Sequence, residues 1–132
     1  MNKKIVLYVS IACMVNILMA TEGYRMLIYK QGEELEIYKK EGKKYYKFWG
    51  LDYCLGYSKK LRSYTLEARR IDEQNALLRN VVGEEAFEEL KNYIDKNVKF
   101  KNLYFCINMV YDSKEYEDEI KRIIKKYCKD CE

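Results

Sequence analysis

The chain has no histidine, and only six of its 132 residues are glycine. Without histidine it cannot form a Ser-His or Cys-His nucleophile pair, or a His-containing zinc or non-haem iron site. The glycines are scattered, so neither a dinucleotide-binding loop nor a P-loop is present. Most hydrolases and nucleotide-dependent enzymes are thereby excluded. Carboxylates are plentiful, but they lie in mixed-charge segments where a solvated helix face is the simpler interpretation.

The composition is that of one globular domain, with 48% hydrophobic and 35% charged residues. The formal net charge of +4 would fall to +2 if Lys3 and Lys4 were removed with a leader. This charge is too weak to indicate nucleic acid. We therefore predict a protein that is not an enzyme, with no catalytic residue, no cofactor, no metal site and no nucleic-acid partner.

The first twenty residues have the pattern of a secretory signal peptide. Lys3 and Lys4 precede an uncharged, mostly apolar run from Ile5 to Ala20. The run is shorter than the roughly 20 apolar residues of a membrane span and is interrupted by Asn16, so retention as an anchor is the less favoured alternative. We predict a signal peptide over 1–20, export, and no membrane contact after cleavage.

The remaining chain divides into an arm, 21–44, and a helical domain, 45–132. In the arm, alternating apolar residues around Gln31-Gly32 favour an extended arm or a hairpin, although a helix over 33–40 fits nearly as well. From Lys43 the apolar spacing becomes helical. Helices are predicted from Lys43 to about Lys60, over 65–82, from Glu84 to about Asn97 and from Asp112 onward. Gly83 is predicted to end the second of these helices.

Several positions of the predicted core can be named. Trp49 and Phe87 lie on apolar helix faces, so both should be buried. Asp112 should cap the last helix, with Glu115 reaching back to it. The core face of that helix should be Tyr116, Ile120, Ile123 and Tyr127. The run 103–111 is predicted to be buried, but periodicity does not distinguish a strand from a helix there.

Three segments carry a resemblance to a known family. They are Phe48-Trp49-Gly50-Leu51-Asp52-Tyr53-Cys54-Leu55, the helix at 87–95 with Phe87, Leu90 and Ile94-Asp95, and the segment Cys106 to Glu115. In this order, and together with the leader, they resemble the type VI secretion amidase immunity proteins over about residues 45–127. These are small periplasmic helical proteins that neutralise a peptidoglycan amidase delivered by neighbouring bacteria. The pairs Lys59-Lys60 and Arg69-Arg70 and the terminal Cys128-Lys129-Asp130-Cys131 do not match the family.

The resemblance implies a fold, a location and a partner. The expected fold is mainly α, a small bundle of four to five helices stapled by a disulfide, with the N-terminal arm as an addition and Cys106 on a helix. The expected function is to bind and occlude the active site of a Cys-His peptidoglycan amidase in the periplasm, as a homodimer. The alternative is an exported envelope binding or scaffold protein without a toxin partner.

Four cysteines lie outside the leader, and they allow three connectivities. Because each of the two strongly apolar runs holds one cysteine, we predict the pair Cys54–Cys106, which leaves Cys128 with Cys131. A thiol-disulfide function of the terminal pair is less favoured, since catalytic Cys-x-x-Cys motifs normally open a helix beside a sheet.

Partner-binding residues are expected in the connector before the apolar run and at the start of the last helix, because connectors carry binding more often than core faces do. The candidates are Lys96, Asn97, Lys99, Lys101, Asn102, Asp112, Ser113 and Glu115.

Overall fold

The computed structural model describes residues 3–62 and 64–131, with side chains from Arg25 onward except Tyr29. Within these residues there are five α-helices and no strand: α1 Lys3–Leu55, α2 Leu66–Val82, α3 Glu84–Asn97, α4 Leu103–Cys106 and α5 Lys114–Tyr127. A 3-10 turn, Ser58–Lys60, follows α1, and a π-helix, Ile107–Tyr111, continues from α4. The predicted mainly α fold of four to five helices is confirmed.

The chain divides into two compact units, Met1–Glu33 and Glu34–Glu132. The first contains the N-terminal part of α1. Met1 and Asn2 of the predicted signal peptide lie outside the described residues, and residues 3–20 are described by their helical backbone alone. Over 3–62 and 64–131, no helix combines the length and the apolar character needed to cross a membrane.

The predicted extended arm or hairpin over 21–44 is wrong, because α1 runs through these residues. A stripe at helical spacing continues the core face of α1 backwards through Leu35, Tyr38, Gly42, Tyr46 and Trp49. Tyr38 and Tyr46 are buried, and their hydroxyl groups share a hydrogen bond of 2.9 Å. Because charged residues lie between these positions, the helical spacing of the stripe is difficult to recognise in the sequence.

The C-terminal part of α1 packs against both α3 and α5. The ring centroids of Trp49 and Phe87 are 5.1 Å apart, and the two side chains are 9% and 2% exposed, which confirms their predicted burial. The Tyr116 hydroxyl of α5 donates to the Tyr46 carbonyl oxygen at 3.1 Å. Gly50 permits this approach, since a Cβ there would lie 2.3 Å from the Tyr116 hydroxyl oxygen.

The turn between α2 and α3 forms as predicted at Gly83. Its φ of +82° belongs to the region that glycine adopts without steric cost. The Gly83 N–H closes α2 on the Arg79 carbonyl oxygen at 2.9 Å. Glu84 and Glu85 then occupy the first turn of α3, where the helix dipole favours negative charge.

The N-cap of α5 lies one residue later than predicted. Asp112 still belongs to the preceding turn, because its N–H donates to the Ile107 carbonyl oxygen at 2.8 Å. Ser113 has the extended backbone that an N-cap needs, and its hydroxyl accepts from the Tyr116 N–H at 3.1 Å. The predicted cap at Asp112 is therefore wrong. Of the predicted core face, Tyr116, Ile120 and Ile123 are buried and Tyr127 is half-buried.

Both predicted disulfides are present. Cys54 at the end of α1 bonds to Cys106 at the end of α4, with their Cα atoms 5.7 Å apart. Cys128 bonds to Cys131 just after α5. α1 itself ends at Leu55, five residues before its predicted end at Lys60. The last three of these five residues, Ser58–Lys60, form the 3-10 turn instead.

Candidate functional site

The predicted partner-binding residues come from two segments that lie at the same end of the α3–α5 pair. The ring centroids of Tyr93 and Tyr116 are 6.0 Å apart. Glu89, one turn earlier in α3, accepts from Arg122, which lies later in α5, at 2.6 Å. The two helices are therefore antiparallel, and the C-terminal end of α3 lies beside the start of α5.

Three of the eight candidates have roles in holding the fold. Asn97 donates to a carbonyl oxygen one turn back in α3 at 2.8 Å. Asn102 caps α4 by accepting from the Phe105 N–H at 3.0 Å. Ser113 caps α5 and is only 8% exposed. These side chains set the geometry of the connector and are poor candidates for direct contact with a partner.

Lys101 links the connector between α3 and α4, residues 98–102, to side chains of α3 and α1. Its ammonium group pairs with the Asp95 carboxylate and lies 4.8 Å from the centroid of the Tyr53 ring. The Tyr53 hydroxyl donates to the same carboxylate at 2.7 Å. The hydrogen bond from Lys101, and then that from Tyr53, lowers the pKa of Asp95. Burial, and then the bond to Asp95, raises the pKa of Tyr53 to about 12. The Lys101 charge is thus compensated within the protein.

The other four candidates are exposed. Glu115 accepts from the Ser113 hydroxyl at 3.1 Å, so it supports the cap. Lys96, Lys99 and Asp112 form no ion pair with any residue in the described part of the chain. Within the described residues, two unpaired cations, Lys96 in α3 and Lys99 in the connector, and the unpaired carboxylate of Asp112 therefore lie at this end of the helix pair.

The most prominent feature of this end of the bundle is a group of exposed apolar side chains. Phe100, Leu103 and Tyr104 are 65%, 61% and 69% exposed. The half-buried Phe105 lies beneath them, with ring centroids 5.7 Å from Phe100 and 5.4 Å from Tyr104. We call these four residues the aromatic patch. A contiguous exposed apolar group of this kind is typical of an interaction surface.

The aromatic patch was not predicted, because 103–111 was expected to be a buried run, which is wrong for most of these residues. Only Cys106 and Val110 are buried there, and Met109 is 38% exposed. The four-residue spacing of Cys106 and Val110 is the signal of a helix with one buried face, and it could have shown that Tyr104 lies on the opposite side. Leu103 shares the face of Cys106 by spacing and is nevertheless exposed.

The aromatic patch is held on a rigid support. The Cys54–Cys106 disulfide links α4 covalently to α1 immediately after the patch. The π-helix Ile107–Tyr111 follows. π-Helices are rare overall, but those that occur are often found at functional sites. The exposed rings are thus presented by a backbone that is anchored covalently on its C-terminal side.

Two features of the described residues bear on catalysis, namely possible metal ligands and the terminal disulfide. No group of three or more acidic or cysteine side chains within 3–62 and 64–131 is arranged to hold a metal ion. Cys128 is 4% exposed and lies at the C-terminal end of α5, where the helix dipole disfavours a thiolate. The terminal disulfide is therefore poorly placed for thiol exchange.

Comparison of the chain with protein-family models, curated proteins and solved structures finds no match.

Proposed function

We propose that this protein acts by binding a protein partner through the aromatic patch, without chemistry of its own. The observation that carries the proposal is the exposure of Phe100, Leu103 and Tyr104 on a disulfide-anchored connector. Aromatic side chains are enriched among the residues that contribute most to binding energy at protein interfaces. Because the connector is already fixed, binding costs little additional ordering entropy.

The charges around the patch indicate the chemistry of the partner. Lys96 and Lys99 are exposed and form no ion pair within the described residues. A partner with an apolar centre and an acidic rim would complement this surface. Such charges chiefly raise the association rate and select the partner, while the apolar centre supplies affinity.

The resemblance to the amidase immunity proteins supports a specific partner. We propose that the chain is exported to the periplasm, forms a homodimer and occludes the active site of a Cys-His peptidoglycan amidase. Such an inhibitor needs a rigid apolar surface and no nucleophile of its own, and the aromatic patch fits that requirement.

The test uses the purified chain and the amidase encoded beside it. The wild type should block peptidoglycan cleavage and co-elute with the amidase on a sizing column, and the free chain on that column reports the dimer. Tyr104→Ala should weaken inhibition by about 30-fold or more, since hot-spot truncations cost about 2 kcal/mol or more. Tyr64→Ala is the matched control, because Tyr64 is 66% exposed and lies outside the patch.

Two results would contradict the proposal. Undiminished cleavage at excess wild-type chain, with no complex on the column, would exclude the amidase as partner. Inhibition by Tyr104→Ala and by Leu103→Ser equal to that of the wild type would show that the amidase is bound by another surface.

A further inference from the structure

The segment from Tyr57 to Arg70, which we call the basic segment, has no part in the proposed amidase contact. It includes both basic pairs that do not match the immunity family, Lys59-Lys60 and Arg69-Arg70. It contains five basic residues and one acidic residue, so its net charge of +4 equals that of the whole chain. The rest of the chain has equal numbers of basic and acidic residues. The excess positive charge is therefore confined to the 3-10 turn, the loop after it and the start of α2.

The cations of the basic segment are not neutralised within the described residues. All five are exposed, and none belongs to an ion pair there: Lys59, Lys60, Arg62, Arg69 and Arg70. Arg62 donates to the uncharged Tyr64 hydroxyl at 2.7 Å. These charges are available to an external anion.

An apolar cleft of about 290 Å³ opens between the end of α1 and the start of α2, beside the basic segment. The two carboxylates that line the cleft, Asp52 and Glu67, accept hydrogen bonds from the turn that follows α1. Asp52 accepts from the Ser58 N–H at 2.6 Å and from the Ser58 hydroxyl at 2.7 Å. Glu67 accepts from the Tyr57 hydroxyl at 2.9 Å. Arg70 lines the same cleft as a cation with no charged partner among the described residues. The cleft walls are otherwise largely apolar, with Phe48, Trp49, Leu51, Leu55 and Ile71.

Exposed apolar side chains are interleaved with the cations. Tyr57, Tyr64 and Leu66 are 43%, 66% and 65% exposed. Cations beside exposed aromatic and aliphatic side chains are typical of surfaces that lie at the headgroup level of an anionic bilayer. A nucleic-acid backbone would use the cations but would gain nothing from an exposed leucine or an apolar cleft.

We propose that the basic segment binds the surface of anionic phospholipid bilayers, with its lysines and arginines on lipid phosphates and Leu66 and Tyr64 at the headgroup boundary. This departs from the expectation that the processed chain makes no membrane contact. The contact is peripheral, and it does not depend on the aromatic patch.

The test measures co-sedimentation of the full chain with vesicles of phosphatidylglycerol and phosphatidylcholine, and with vesicles of phosphatidylcholine alone. The neutral vesicles report any binding by the apolar N-terminal run. Lys59→Gln with Lys60→Gln should lower the partition coefficient on anionic vesicles about 25-fold, from about a factor of five for each basic residue at the surface. Lys125→Gln with Lys129→Gln removes the same charge from exposed positions outside the segment, and should change it by less than about twofold.

Equal losses in the two double variants would show that only net charge matters and would overturn the proposal. Leu66→Ser should weaken vesicle binding without changing any charge. Duplex DNA at the same salt concentration serves as the third ligand. Binding to DNA as tight as to anionic vesicles, with Leu66→Ser neutral on both, would show a general polyanion site and would also overturn it.

Discussion

Replacing Gly50 with alanine should destabilise the protein, although alanine is the better helix former. The new Cβ would lie 2.3 Å from the Tyr116 hydroxyl oxygen and 2.6 Å from Cζ, where ordinary contact begins at 3.4 Å. Tyr116 is fully buried and its hydroxyl is bonded to the Tyr46 carbonyl oxygen, so the ring has no free space to enter. The ring and α1 must therefore separate by about 1 Å.

The expected magnitude follows from three contributions. Overpacking in a filled core costs about 1–3 kcal/mol. A buried Tyr116 hydroxyl without its acceptor costs about 1–3 kcal/mol. The gain in helix propensity from glycine to alanine offsets about 1 kcal/mol. Gly50→Ala should lower the free energy of unfolding by about 1–5 kcal/mol, measured by urea denaturation.

Gly42→Ala is the matched control, because Gly42 is also buried in α1 and also faces a tyrosine. Its added Cβ would lie 3.5 Å from Tyr38, which is ordinary contact, so this variant should be as stable as the wild type or more stable. Tyr116→Phe in the Gly50→Ala background removes the closest atom and should recover part of the loss. A Gly50→Ala protein as stable as Gly42→Ala would refute the close packing of α1 on α5.

Three further changes test other parts of the fold. Cys54→Ser with Cys106→Ser should lower the free energy of unfolding by about 4 kcal/mol in urea, and equal stability of oxidised and reduced wild type would contradict this. Phe87→Ala should cost about 3–5 kcal/mol in the same assay. Hydrogen bonds led by that from Lys126 lower the pKa of Glu89 from 4.5 to about 2. Their stabilisation, about 1 kcal/mol, is present above pH 4.5 and should fade as the pH falls towards 2. Glu89→Gln should remove that part of the pH dependence, and an unchanged profile would refute the role of Glu89.

The bounds of α2 and α3 could be predicted because their patterns are local. Gly83 separates two amphipathic stripes, and acidic residues mark the start of α3. The part of α1 over 33–44 was harder to predict. Its core stripe passes through Gly42, which has no apolar side chain to mark the buried face, and charged residues lie between the other positions of the stripe. The cap of α5 was missed because Asp112 and Ser113 are both good caps, and only the preceding π-helix decides between them.

The candidate site was predictable in location but not in composition. The connector after α3 was chosen because connectors carry binding more often than core faces do. Several of its charged and amide side chains cap helices or pair with neighbours. The exposure of Phe100 and Tyr104 depends on which elements cover them, and that information is not local in sequence.

The Cys54–Cys106 bond closes a covalent ring that contains α2 and α3, whereas most of α1 and all of α5 lie outside it. The exposed lysines of the 3-10 turn, which trypsin-like proteases recognise, lie inside the ring. A single cut there opens the ring without releasing a fragment, since the two pieces remain joined through sulfur. The nicked chain would run as one band until it is reduced.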